Sequence, residues 1–419
     1  MNDKHINSPV SNLIKSPIGV VLINIIIFTV IYVVLVADFA VSMAFLVAAI
    51  LLLLFMDQKG LINEIFNLFI RYKTIALISA LIVVLLLPVF LADKRYIAHI
   101  AIMVTIYGMA GLGLNFQMGS TDMVNFAPAA FMGIGAYTLA VFTSKLGMSP
   151  WLGLAGSVVL SGLMGLLIGL PTLRTKSYYL SLVTMALQLA FTMVLFNIPF
   201  LGGPNGITGV KPMTIGSLSL VKSYTVLGIK MAPQVPYLYF CLLVLILFTY
   251  IAMRVYVSRI GLALNTIAQD EVAANCLGIN ITARKLFAFV IGAIFCGVAG
   301  NLYGSYTSYV GPDDFGFSRS LMIICMVILG GMDNVVGVLT GAFILTVITE
   351  KLRVFSDFQQ LVYGLILLTV LIVRPAGLIP KRVRNYCLVF KKNVIKREKA
   401  IEAPCQSPVQ VADPPEQGI

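Results

Sequence analysis

Ser258-Arg-Ile-Gly-Leu-Ala-Leu-Asn-Thr-Ile-Ala-Gln-Asp-Glu-Val-Ala-Ala-Asn-Cys-Leu-Gly-Ile-Asn280 is a polar island between two long apolar runs. Leu264, Ile267, Ala268, Val272 and Cys276 recur at helical spacing, and Gly278 stands where a left-handed residue would end a helix. The spacing predicts one short amphipathic helix with Asp270 and Glu271 turned away from the apolar stripe. Such a helix is either a solvated connector between spans or a docking surface for a soluble partner. Amphipathicity alone does not choose between them.

The runs around the island decide the class. Hydrophobic residues make up 59% of the chain and charged residues 11%, with a mean hydropathy of +0.98. Soluble domains carry about 25% charged residues. The chain therefore reads as an all-α integral membrane protein, a polytopic helical bundle of about 10–12 transmembrane helices. Apolar stretches able to cross a hydrocarbon layer of about 30 Å fall near 18–37, 39–56, 74–92, 97–114, 128–143, 150–170, 177–200, 236–255, 284–307, 318–330, 334–352 and 358–373. The pair around Gly330-Gly331 could be one broken element, and 119–128 could be re-entrant. The first run is too long for the apolar core of a signal peptide, and a second span follows at once.

If all twelve cross and both termini are cytoplasmic, 20 of the 29 Lys/Arg residues fall on the cytoplasmic side. That bias follows the positive-inside rule and places the island in the cytoplasm. The net charge of +12 is then an orientation signal. Basic residues flank spans instead of decorating a folded domain, which argues against a nucleic-acid partner.

Enzyme chemistry lacks its parts. The two histidines, His5 and His99, are far apart in sequence, so no metal-ligand pair or Ser/His arrangement is available. No G-x-x-x-x-G-K-[ST] occurs, so ATP used by this protein is hydrolysed by another chain. The six cysteines form no C-x-x-C pair and read as small packing residues, and nothing calls for a cofactor. Carboxylates and histidines are scarce within the spans, which disfavours an ion-coupled carrier.

Polar and flexible residues gather in three places. The first is Gly111-Leu-Gly-Leu-Asn115-Phe-Gln-Met-Gly119-Ser-Thr-Asp122-Met-Val-Asn125-Phe-Ala-Pro128. Helix breakers at membrane depth are tolerated where backbone is buried in protein or lines a cavity, and Asn115, Thr121, Asp122 and Asn125 are candidate pathway residues. Gln188 and Asn197 join them from the second cluster, which ends in the turn Gly202-Gly-Pro-Asn-Gly206. The third is Gly311-Pro-Asp-Asp-Phe315 with Leu329-Gly-Gly331. One interrupted region per half suits inverted repeats, although the residue identities do not demonstrate one.

In order, Gly111-Leu-Gly-Leu-Asn115, Gly133-Ile-Gly-Ala-Tyr137, Leu173-Arg-Thr, Gly202-Gly-Pro-Asn-Gly-Ile207, the island, Lys285-Leu-x-Ala-Phe289, Val327-x-Leu-Gly-Gly331 and Arg374-Pro-x-Gly-Leu378 resemble the LivM-type permeases of branched-chain amino-acid ABC importers. The resemblance covers roughly 97–380. It sets off a 1–96 extension of about three spans and a basic, disordered cytoplasmic tail over 381–419. It implies a multi-pass protein of the bacterial cytoplasmic membrane working with a LivH-type sister permease, two ATP-binding subunits and an extracytoplasmic substrate-binding protein. It also makes the island the ATPase-coupling loop, with Asp270, Glu271, Ala274, Leu277 and Gly278 at its core. The run around Asn125 departs from the family's more usual Gly-rich pattern with Ser or His. Urea, short amides or another amino acid therefore stay open as cargo.

Overall fold

The computed structural model describes residues 17–37, 72–90, 94–172, 177–215, 218–219, 224–226, 229–353, 358–374 and 377–379, with scattered positions between 41 and 68. The span at 39–56, the Leu173-Arg-Thr motif and the tail over 381–419 lie wholly or mostly outside them.

Every other expected span has a helix. They are α1 (Pro17–Val36), α2 (Lys73–Phe90), α3 (Arg95–Thr121), α4 (Pro128–Ala140), α5 (Pro150–Thr172), α6 (Ser177–Asn197) and α7 (Val235–Val257). The island follows as α8 (Arg259–Gln269) and α9 (Glu271–Cys276). The chain continues with α10 (Ile281–Thr307), α11 (Phe317–Gly330), α12 (Val335–Lys351) and α13 (Gln359–Val373). Among the described residues, α1, α3, α5, α6, α7 and α10 are long and apolar enough to cross a membrane alone. α11, at 14 residues, rises only about 20 Å at 1.5 Å per residue, so it is a half-length element, whereas the 13 residues of α4 run on through a π-helical turn, Val141–Lys145.

α3 and α10 are the antiparallel axis of the bundle. His99 Nδ1 meets Tyr306 Oη at 2.8 Å near one end, and Gln117 Nε2 donates to Phe289 O at 3.0 Å near the other. Close approach is possible because small residues line the seams. A Cβ at Gly300 would lie 1.9 Å from Met132 O, so α4 could not seat on α10 with any larger residue there. α5, α6, α7 and α13 form an outer shell whose apolar side chains are largely exposed, as lipid-facing helices require. α1 and α2 pack together, tied by Asn24 Nδ2 to Ser79 Oγ at 2.7 Å, and Tyr239 Oη of α7 donates to Leu85 O of α2.

The two halves mirror one another. α3 and α10 each have 27 residues and end in threonine, followed by a non-glycine residue in the left-handed region: Asp122 (φ 53°) and Ser308 (φ 56°). Each carries a buried asparagine six residues before its last one, Asn115 and Asn301. Each is followed by a break in the α-helix and then a shorter helix, α4 or α11. The long helices run in opposite directions, as the paired contacts at their two ends show.

Candidate functional site

The island is two helices, where the spacing predicted one. Ser258 Oγ caps α8 by accepting from Ile260 N and Gly261 N. At Asp270 the backbone leaves the helix (φ −157°, ψ 114°), and its carboxylate accepts from Val272 N at 2.8 Å and Ala273 N at 3.1 Å. An N-cap that strong starts a new helix instead of continuing the old one. The kink corrects the predicted stripe. Leu264 and Ile267 are buried as expected, but Val272 and Cys276 turn outward and Ala274 takes the inner position. Val272 and Leu277 are each 73% exposed, beside Leu262 at 40%. Gly278 is the left-handed stop (φ 75°), with Ile279 N closing on Ala274 O at 3.1 Å.

Glu271 pairs within the chain, with Lys285 Nζ in the second turn of α10. Lys285 is nearly enclosed, while the Glu271 side chain is 51% exposed. The pair pins α9 to the start of α10. One turn further along α10, Phe289 O accepts from Gln117, whose Oε1 accepts from Asn125 Nδ2. Asn125 Oδ1 in turn accepts from Ala127 N at 2.8 Å. The island and the break are thus joined through one turn of α10, between Lys285 and Phe289.

Between α3 and α4 the exposure of the chain alternates. Thr121, Met123, Asn125 and Ala127 point inward and are buried, whereas Asp122, Val124 and Phe126 point outward. The segment reverses the chain between two antiparallel helices. Its inner polar groups are consumed: Thr121 Oγ1 donates to Gln117 O, Asn115 Nδ2 donates to Tyr256 Oη, and Asn115 Oδ1 accepts from Asp333 N in the α11–α12 turn. Gln188 lies behind the break with no exposure, bonded to Ala130 N and Phe315 O. Asn197, by contrast, is exposed at the end of α6 and donates to Met193 O. Of the candidate pathway residues, four are buried together and Asp122 and Asn197 are on the surface.

The other motifs converge in pairs. Ile207 and Thr208 (β1), after the Gly-Gly-Pro-Asn-Gly turn, pair antiparallel with Tyr309 and Val310. At the island end, Leu378 N and Ile379 N donate to Leu329 O and Gly330 O, so the closing Arg-Pro-x-Gly-Leu segment buckles onto the Gly330-Gly331 turn. Sequence reasoning missed Gln117, Thr184, Lys285 and Ser320, the partners of the residues it chose. Thr184 and Gln188, four apart in an apolar helix, were the available signal. Arg319 was not singled out either. In the structure Arg319 is in the first turn of α11 and donates to Tyr107 Oη, at the middle of α3, at 2.6 Å.

The family described as "branched-chain amino acid transport system / permease component" matches residues 96–373. The high-affinity branched-chain amino acid transport system permease protein LivM of Salmonella typhimurium is 32% identical over 316 residues, covering 72% of this chain and 74% of that protein. LivM of Escherichia coli is 31% identical over 320 residues, 73% of this chain and 75% of that one. The Salmonella LivH permease is 23% identical over 285 residues, 65% of this chain and 91% of that protein. No solved structure matches. A polytopic helical bundle with an interrupted axis and a capped polar island, matched over more than half its length, belongs to the permease family of branched-chain amino-acid transport systems.

Proposed function

We propose that the chain is the LivM-type subunit of an ABC importer for branched-chain amino acids in the bacterial inner membrane, with both termini cytoplasmic. It forms the translocation pathway with a LivH-type sister. Two separate subunits hydrolyse ATP, and an extracytoplasmic binding protein delivers cargo. The observation that carries the reading is the island: a double-capped helix pair presents Val272 and Leu277 outward while its base is pinned to α10. Exposed apolar groups on a rigid mount suit a partner surface. Asp270 and Ala274 set the shape of the contact, Leu277 supplies its apolar area, Gly278 aims the chain into α10, and Glu271 holds the mount.

The pathway runs along the outward row of the break, with Asp122 and Val124 facing cargo. Asn115, Thr121, Asn125 and Gln188 hold the backbone behind it, and Asn197 lies toward the entrance. ATP-driven closure of the motor moves the island, and the Glu271–Lys285 pair, the turn of α10 between Lys285 and Phe289, and Gln117 with Asn125 carry that movement to the break. The test is uptake of labelled leucine, isoleucine and valine by the five-subunit complex in liposomes, with urea and acetamide as competitors. Competition by unlabelled valine but not by the amides supports the reading; uptake of amides in preference overturns it.

A further inference from the structure

α4 and α11 begin at the same place. α11 starts beside the midpoint of α3, where Arg319 meets Tyr107, and runs toward the island end, where the turn after it meets Asn115. α4 starts against α11, with Ala129 N donating to Ser320 Oγ at 3.1 Å, and runs the other way. Two helix N-termini therefore meet head to head at half-depth. Each brings backbone N–H groups without intrahelical partners, which is costly away from water.

One side chain ties them. Gln188 Oε1 accepts from Ala130 N of α4 at 2.8 Å and from Ser320 Oγ of α11 at 2.9 Å, while Nε2 donates to Phe315 O at 2.6 Å. One turn earlier on α6, Thr184 Oγ1 accepts from Phe126 N at 3.0 Å. Gln188, Thr184 and Ser320 have no exposed surface, and the rings of Phe126 and Phe317 stack at 6.3 Å across the same junction. The inward face of α6 is largely given to this task, because most of its other side chains are exposed. A leucine would fill the same volume but leave Ala130 N and Phe315 O bare. A gate would keep exposed or exchangeable bonds; here each one is internal and paired.

We propose that Gln188 is a positioning residue that welds the first turns of α4 and α11 into one body. On this account, which rests on the importer reading above, α4 and α11 travel together through the transport cycle. Cargo never passes between them, and the bending falls on the left-handed residues Asp122 and Ser308 at the ends of the long helices.

The test has two parts, both in the reconstituted complex lacking native cysteines. In the first, Ala129→Cys with Ser320→Cys is oxidised to a disulfide. Leucine uptake is expected within two-fold of the same protein reduced. A reductant-reversible loss of ten-fold or more would mean that α4 and α11 separate, and failure to oxidise would mean that their first turns are not adjacent; either overturns the proposal. In the second, Gln188→Leu is expected to lower maximal uptake at least ten-fold with KM within two-fold and ATPase stimulation retained. Gln188→Glu, which keeps the double acceptor beside two helix N-termini, is expected to restore at least a third. An unaffected Gln188→Leu, or no difference between the two variants, overturns it. A wild-type complex that does not import leucine counts against the importer reading instead. The disulfide is then scored on ATP hydrolysis, expected unchanged on oxidation.

Discussion

The island and the break are the two places where this apolar chain turns polar, and they dispose of their side chains in opposite ways. At the break, amides and hydroxyls are buried and paired within the chain: Asn115, Gln117, Thr121 and Asn125 all bond internally. At the island the caps are satisfied locally, but Val272 and Leu277 are left in the open. A polar cluster whose bonds are all spent inside is a clamp. An exposed apolar pair on a capped mount is unfinished without a partner. Polarity in the sequence thus marks both sites, and burial separates their roles.

That contrast predicts graded effects. The largest falls on the break. Asn125→Leu leaves Gln117 Oε1 and Ala127 N without partners, at about 1–3 kcal/mol for each bare group. Differential scanning of the purified complex is expected to show a lower melting temperature together with lost uptake. An unchanged melting temperature would show that these amides are not clamping the break.

Gly278→Leu comes next. A side chain there meets open space, so the cost is conformational only, about 1–2 kcal/mol for a left-handed residue with a Cβ. Stimulation of ATP hydrolysis by the loaded binding protein is expected to fall several-fold while the subunit still assembles. Full stimulation would sharpen the comparison by excluding the exit angle of the island.

The Glu271–Lys285 pair separates mount from surface. Glu271→Gln strands a nearly enclosed ammonium, whereas Lys285→Met leaves a carboxylate that is half in solvent. The first is expected to be the more damaging to coupled uptake, by about a further 1 kcal/mol after allowance for solvent screening. Equal effects would point to a direct contact between Glu271 and the motor. The smallest effect belongs to Asp270. Asn keeps the cap and is expected to be near neutral, while Ala costs about 1 kcal/mol, read as lower helical protection in hydrogen exchange over 270–277.

Much of this was legible in the sequence. Long apolar runs marked the spans, and the glycine ending the island marked its left-handed stop, because period and composition are local properties. The kink at Asp270 was legible in principle, since aspartate before Glu-Val-Ala is a cap as well as a helix residue, but helical spacing alone ran straight through it. Long-range partners were not legible. Nothing local says that Gln117 meets Phe289, or that Arg319 sits at half-depth. The run from 318 to 330 looks like a short span, yet it begins beside Tyr107 at the middle of α3.

The central claim is that the outward apolar pair of the island is the contact on which the ATP-binding subunit docks. The direct measurement is the stoichiometry of that subunit on the purified complex carrying Val272→Asp and Leu277→Asp, both at exposed positions where the fold tolerates charge. The account predicts a melting temperature like that of the parent for the isolated permease pair, at least ten-fold less bound ATP-binding subunit, and no binding-protein-stimulated hydrolysis. Parental stoichiometry with full stimulation would contradict it and reduce the island to a connector.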